Sequence, residues 1–175
     1  MYPPKPIRGW AGTRLHDRLI GDAGWVCEPK ADGDRCLVFA LDDGIQLWSR
    51  HGRQHRYSWL APLVEELEGL DLPAGTVLDA ELLHEPKPRC DLVVFDVGSS
   101  WPQSLSERRD TLERFLARGN PSRVSAAPWL PKSTAYEDAL AAGHEGVVFK
   151  KLDSPYRWQR GDGANKIPDW VKMKP

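Results

Sequence analysis

Glu28-Pro29-Lys30-Ala31-Asp32-Gly33-Asp34-Arg35 is the stretch on which the reading of this chain turns. It follows Trp25-Val26-Cys27, so a strand through Trp25–Glu28 is expected to feed a turn with Lys30 at the strand end. A lysine in this setting reads as a nucleophile at the mouth of a nucleotide pocket. Its amine attacks an α-phosphate only when neutral, and neighbouring cations disfavour the ammonium form. Gly33 suits a tight turn where backbone approaches a ligand, while Asp32 and Arg35 offer opposite charges to a metal-bound phosphate or a ribose. By itself, a Lys-x-Asp-Gly-x-Arg turn is more often an exposed loop with a surface ion pair.

Outward from the lysine, Arg35–Leu41 and Ile45–Ser49 alternate apolar and polar residues about Asp43-Gly44, a hairpin signal directly after the loop. Leu60, Leu63, Val64 and Leu67 give Trp59–Leu70 the spacing of an amphipathic helix that stops near Gly69 and Pro73. Val77–His84 and Leu92–Val97 suit buried strands on either side of the Pro-rich loop Glu85-Pro86-Lys87-Pro88. Ser104 and Glu107 are spaced as a capping box for a helix through Arg118, with Leu112, Phe115 and Leu116 inward and Gly119-Asn120-Pro121 as its stop. A further helix near Thr134–Ala142 ends at Gly143, and Gly146–Lys151 and Asp169–Lys174 read as closing strands around the loop Asp153–Pro168. The mixture predicts an α+β fold of antiparallel β-sheets with helices on their outer faces.

With 175 residues, 41% of them hydrophobic and 28% charged, the chain suits one well-buried domain. No apolar run approaches the roughly 20 residues of a membrane span, and the start Met1-Tyr2-Pro3-Pro4-Lys5-Pro6 lacks a signal peptide's apolar core, so a cytoplasmic protein without a membrane partner is expected. Cys27, Cys36 and Cys90 are odd in number and form no Cys-x-x-Cys pair, which favours reduced core thiols over a disulfide framework or a zinc site. A net charge of −1 means that any nucleic-acid binding is local. The candidate is Arg50-His51-Gly52-Arg53-Gln54-His55-Arg56; Arg108, Arg109, Arg114, Arg118 and Arg123 read better as a solvated helix face and loop. His51 and His55 fall in a glycine-containing turn with no third ligand, which argues against metal. Of the eight tryptophans, Trp48, Trp59 and Trp101 are most simply core, whereas Trp158 is placed to stack on a base.

Five further segments follow the lysine in order: Ser49-Arg50-His51-Gly52, Leu78-Asp79-Ala80-Glu81-Leu82, Asp91-Leu92-Val93-Val94-Phe95-Asp96, Glu145-Gly146-Val147-Val148-Phe149-Lys150 and Trp170-Val171-Lys172-Met173-Lys174. Each is unspecific alone, but the ordered set, spanning nearly the whole chain, resembles the adenylation domain of ATP-dependent DNA ligases, within the covalent nucleotidyltransferases. Glu28-Pro29-Lys30, the Pro102-to-Leu116 stretch and Leu152-Asp153-Ser154-Pro155-Tyr156 look most like bacterial end-joining ligases.

The resemblance implies two antiparallel sheets flanked by helices around a nucleotide cleft, with ATP and Mg²⁺ as cofactors and Lys30 forming a covalent lysyl-AMP. It implies that Lys172 and Lys174 contact the α-phosphate, Phe95 stacks on adenine, Arg35 touches the ribose and Glu28 helps read the adenine edge. Glu145 takes the metal position and Glu81 a ribose or metal-linked one, with Asp32 as a further metal candidate. Arg50 matches the arginine that grips the 5′-phosphate of a nick. Plainer readings stand beside these. Lys172 and Lys174, on one face of a strand, also describe a charged edge, Phe95 a core residue, and Glu81 and Glu145 ordinary surface glutamates, although Glu81 between apolar neighbours would be costly without a partner.

The expectation is therefore a monomeric single domain over residues 1–175, acting on nicked or broken double-stranded DNA. In the family an oligonucleotide-binding domain follows this core. It is expected to be absent here, which leaves three readings open: a shortened chain, a minimal natural enzyme, or a separate protein that supplies the domain or an end-binding function. RNA ligase, a GTP-dependent capping guanylyltransferase and a non-catalytic nucleotide-binding relic are the competing readings.

Overall fold

The computed structural model describes residues 3–83, 90–98, 103–158 and 167–175; the expected Pro-rich loop Glu85-Pro86-Lys87-Pro88, the expected core residue Trp101 and much of the loop before the last strand lie outside them. In chain order the elements are β1 (Pro6–Gly9), α1 (Arg14–Gly21), β2 (Trp25–Pro29), β3 (Asp34–Leu41), β4 (Gly44–Ser49), a 3₁₀ turn (Ser58–Leu60), α2 (Ala61–Glu68), β5 (Val77–Leu83), β6 (Asp91–Gly98), α3 (Leu105–Gly119), β7 (Val124–Ala126), α4 (Ala135–Ala141), β8 (Val147–Lys151) and β9 (Ile167–Met173). They form two compact units, one of Met1–Asp32, Ser104–Ser106 and Ala127–Pro175, the other of Gly33–Gln103 and Glu107–Ala126.

The first unit is built on a four-stranded sheet in the order β1-β9-β8-β2. Strand alternation sorts its side chains. Cys27, Val147, Phe149, Val171 and Met173 point to one face and pack on Leu19 of α1 and Ala135 and Ala139 of α4. Their neighbours Glu28, Val148, Lys150, Trp170 and Lys172 are thereby turned to the opposite face. Helix α1 opens at Thr13, whose Oγ1 accepts a hydrogen bond from the His16 amide at 3.4 Å, and carries Asp17 in its first turn, where the helix dipole favours an acid.

The second unit is a five-stranded sheet in the order β4-β3-β5-β6-β7. Cys36, Val38, Leu78, Ala80, Leu82, Leu92 and Val94 cover one face and meet Leu60, Leu63 and Leu67 from α2 and the turn before it, with Leu112 of α3. The hairpin forms as the alternation requires, but Leu41 pairs with Gly44, so its loop is Asp42-Asp43, one residue earlier than expected, and Gly44 takes up the reversal at φ +123°. Both sheets are antiparallel in their interiors, and each adds one parallel edge strand, β1 on β9 and β7 on β6.

Two further sequence expectations change. Trp59 is 45% exposed rather than core, because it lies in the 3₁₀ turn and the buried stripe begins at Leu60. Arg108 is buried rather than solvated: its guanidinium spans Asp96, from Nε to Oδ1 at 2.6 Å and from Nη2 to Oδ2 at 2.9 Å, and donates to the Gln103 carbonyl at 2.7 Å. The three cysteines are free and buried, as expected, and burial pushes the Cys27 and Cys36 thiols up to about 12 and raises Cys90 as well, leaving all three unreactive.

Candidate active site

Lys30 is held by backbone before its side chain is considered. Its amide donates to the Gly146 carbonyl at 2.8 Å, and the Glu145 amide donates to the Lys30 carbonyl at 3.1 Å. This exchange extends the β2–β8 ladder past the Pro29–Val147 pair, which fixes Glu145 beside the lysine. Gly146 makes the crossing possible. It sits at φ +130°, and a Cβ there would run into the Met173 carbonyl, so no larger residue fits without moving β9.

The side chains complete the arrangement. Lys30 Nζ donates to Glu145 Oε2, and Lys174 Nζ donates to Glu145 Oε1 at 2.6 Å, so one carboxylate bridges two ammonium groups. Lys172 lies two residues before Lys174, on the strand face opposite the Val171 and Met173 core. Deeper on that face, Glu28 and Lys150 form an ion pair at 2.6 Å, with 2% and 1% of each residue exposed. Trp129 Nε1 donates to Glu28 Oε1 at 3.1 Å, and Lys150 Nζ stands 4.5 Å from the Trp170 ring centroid. Among the described residues this face gathers Lys30, Lys150, Lys172 and Lys174 about Glu28 and Glu145, a set richer in cations than in acids, as a polyphosphate requires. Asp32 is exposed just beyond the lysine.

Burial raises the Glu145 carboxyl, but the hydrogen bonds and charges of Lys174 and Lys30 outweigh it and hold the group below its ordinary 4.5. The folded chain therefore takes up this proton less readily than the unfolded chain. The stability it contributes is fully present above pH 4.5 and is lost as pH falls through the lowered folded value. Glu145→Gln is expected to flatten the acid-side fall in stability, read by urea unfolding near neutrality and in steps below pH 4.5. An unchanged acid profile would remove Glu145 as its source.

The second unit carries the other expected residues on the sheet face opposite its core. Arg35 clasps Asp79 with two hydrogen bonds, one from Nε to Oδ1 at 2.8 Å, and its guanidinium carbon lies 5.3 Å from the Phe95 ring centroid. Phe95 is half-buried and not core: it follows the core residue Val94 and so turns to the opposite face, where a β-bulge leaves it as the extra residue between the Ala80–Val94 and Asp79–Asp96 pairs. Glu81 lies opposite Arg35 in the β3–β5 register. Gly33 has no positive φ; its lack of a side chain instead admits the Leu82 carbonyl, which a Cβ would strike.

Arg50 is exposed in the loop after β4, one residue past the Cys36–Ser49 pair. Ser49 Oγ accepts from the amides of His51 at 3.3 Å and Arg53 at 3.2 Å, and Gly52 turns the chain at φ +74°. Trp158 packs edge-on against Tyr156, with ring centroids 5.1 Å apart. Among the described residues no group of three or more His, Cys, Asp or Glu is placed to hold a metal.

Lys150, Trp129 and Asp79 escaped the sequence reading. Lys150 closes a quoted motif and Asp79 lies inside another, and in each the neighbouring glutamate drew the assignment. Only the strand register shows that Lys150 lies diagonal to Glu28 and that Asp79, two residues from Glu81, shares its face.

No protein-family model matches the chain. It is 30% identical to the protein named "Probable DNA ligase" of Kineococcus radiotolerans, over 99% of this chain and 38% of that one. It is 28% identical to the SPbeta prophage-derived DNA ligase-like protein LigB of Bacillus subtilis, over 88% and 62%. Among solved structures, mycobacterial DNA ligase D complexed with ATP and MES superposes with a TM-score of 0.74 at 25% identity, covering 99% of this chain and 60% of that one. The chain belongs with the DNA ligase adenylation domains. This adenylation domain spans 38% and 62% of the lengths of those two curated relatives. Its two sheets with flanking helices are the ligase fold that the ordered motifs implied.

Proposed function

We propose that this domain is the nucleotidyl-transfer core of an ATP-dependent ligase that acts on nicked or broken double-stranded DNA. The observation that carries the reading is the Lys30–Glu145–Lys174 bridge on a cationic sheet face, in a chain of DNA ligase fold. Lys30, released from Glu145 and deprotonated, attacks the α-phosphorus of ATP. A nitrogen–phosphorus bond forms, the bond from that phosphorus to the bridging oxygen breaks, and pyrophosphate leaves. Such a transfer depends on positioning and on neutralising phosphate charge, the work assigned to Lys172 and Lys174. AMP then passes to the 5′-phosphate of the break, and the 3′-hydroxyl displaces it to seal the strand.

Arg35 and Phe95 suit a ribose and a flat base, the first by its donors and the second by its ring face. Mg²⁺ takes one or two carboxylates together with phosphate oxygens and water, so a single glutamate suffices and no protein cage is needed. Glu145 is the candidate in the first unit, with Asp32 and Glu81 offering further carboxylates; the ion would neutralise phosphate charge. Arg50 is the candidate for a 5′-phosphate.

The test is the intact mass of the protein after incubation with ATP or GTP and Mg²⁺. A gain of one AMP supports the reading. A GMP adduct would replace it with a capping-type activity, and no adduct in a folded sample would leave a nucleotide-binding module.

A further inference from the structure

The segment Arg50–Trp59 holds a feature that the adenylation chemistry does not use. Tyr57 and Trp59 are 58% and 45% exposed, and their rings stack 5.6 Å apart at an interplanar angle of 16°. Arg50, Arg53 and Arg56 are exposed on the same short segment, and residues 49–62 include no aspartate or glutamate. The cations are presented from a folded loop. The chain returns along β4 through bonds from the Ser49 amide to the Arg53 carbonyl and from the His55 amide to the Leu47 carbonyl, each 2.8 Å, while Gln54 Oε1 accepts from Arg56 Nε at 2.7 Å.

We propose that Arg53, Arg56, Tyr57 and Trp59 form a docking surface for unpaired nucleotides, the single-stranded segment beside a duplex end. Parallel aromatic rings offer a π-face on which a base can continue the stack. A base inside a duplex has both faces covered, and a terminal pair leaves one face free at each end. Every unpaired base, by contrast, can turn a face to the stack, so a single strand uses it best, while the guanidinium groups follow the phosphates. Three exposed arginines in a segment without an acid favour a polyanion over an apolar protein partner or a second copy of this chain.

The experiment is fluorescence anisotropy of the full chain with a labelled single-stranded oligonucleotide and with a blunt duplex of equal length. Trp59→Ala and Tyr57→Ala are expected to weaken single-strand binding about tenfold and duplex binding less than about twofold, with Trp59→Phe close to the parent. Circular dichroism confirms that the variants are folded. Equal losses on both ligands, or no loss on the single strand, would overturn the proposal. So would sedimentation showing a self-associated chain that Trp59→Ala disperses. The measurement needs neither nucleotide nor Lys30, so single-strand binding that persists in Lys30→Ala separates this surface from the adenylation reading.

Discussion

Lys30→Ala is expected to abolish the AMP adduct, lowering the rate of mass gain on the order of 10³-fold or more, while the protein stays folded. Removing the amine removes the only protein atom proposed to bond to phosphorus. The structural penalty is small for two reasons. The side chain is 23% exposed, and ion pairs that water reaches contribute about 0–1 kcal/mol. Glu145 also keeps its second partner, Lys174. Lys30→Arg sharpens the test. Arginine restores the positive charge beside Glu145 but stays protonated at any working pH, so it should preserve the ion pair and still yield no adduct. Adduct formation by either variant would show that another residue is the nucleophile. A large fall in melting temperature would show that Lys30 serves the fold instead.

The local elements were legible because their signals are local. Alternation on either side of Asp42-Asp43 marks a hairpin wherever it sits, and the Leu60, Leu63 and Leu67 spacing marks a helix face without knowledge of what it covers. What the sequence hides are pairings between distant segments. β1 joins β9 across more than 150 residues and is only four residues long, and β7 has three, too few to show a period. Helix α1 was missed although Thr13 begins it, because among its residues only His16 and Leu19 are buried, leaving little of an apolar stripe. Motif order led to Lys30, Glu145 and Lys174, and the fold places them in contact through register and the space that Gly146 leaves. It could not rank Asp79 against Glu81, since alternation treats residues two apart alike; the choice of partner for Arg35 is made across the sheet.

Lys150→Met is expected to destabilise the protein by about 3–5 kcal/mol, a large share of the roughly 5–15 kcal/mol available to a domain. The lysine is 1% exposed and pairs with a carboxylate on a residue 2% exposed, so neither charge can turn to water when the other is removed. Methionine fills much of the same space, which limits the cavity and leaves the orphaned Glu28 charge as the main penalty. The Trp129 bond at 3.1 Å solvates one carboxylate oxygen only in part, and loss of the lysine also removes the cation above Trp170. The double variant Glu28→Gln with Lys150→Met separates charge from packing. With both charges gone, the introduced amide oxygen still accepts from Trp129, and most of the lost stability should return, since buried pairs replaced together are often close to neutral. Urea unfolding of the parent, both single variants and the double closes the cycle. If the double variant were as unstable as the sum of the singles, the two side chains would be acting independently, and the ion pair would not be what holds Glu28 in place. If stability returned but AMP transfer did not, the charge pair on this sheet face would serve the nucleotide, with apolar packing able to hold the fold without it.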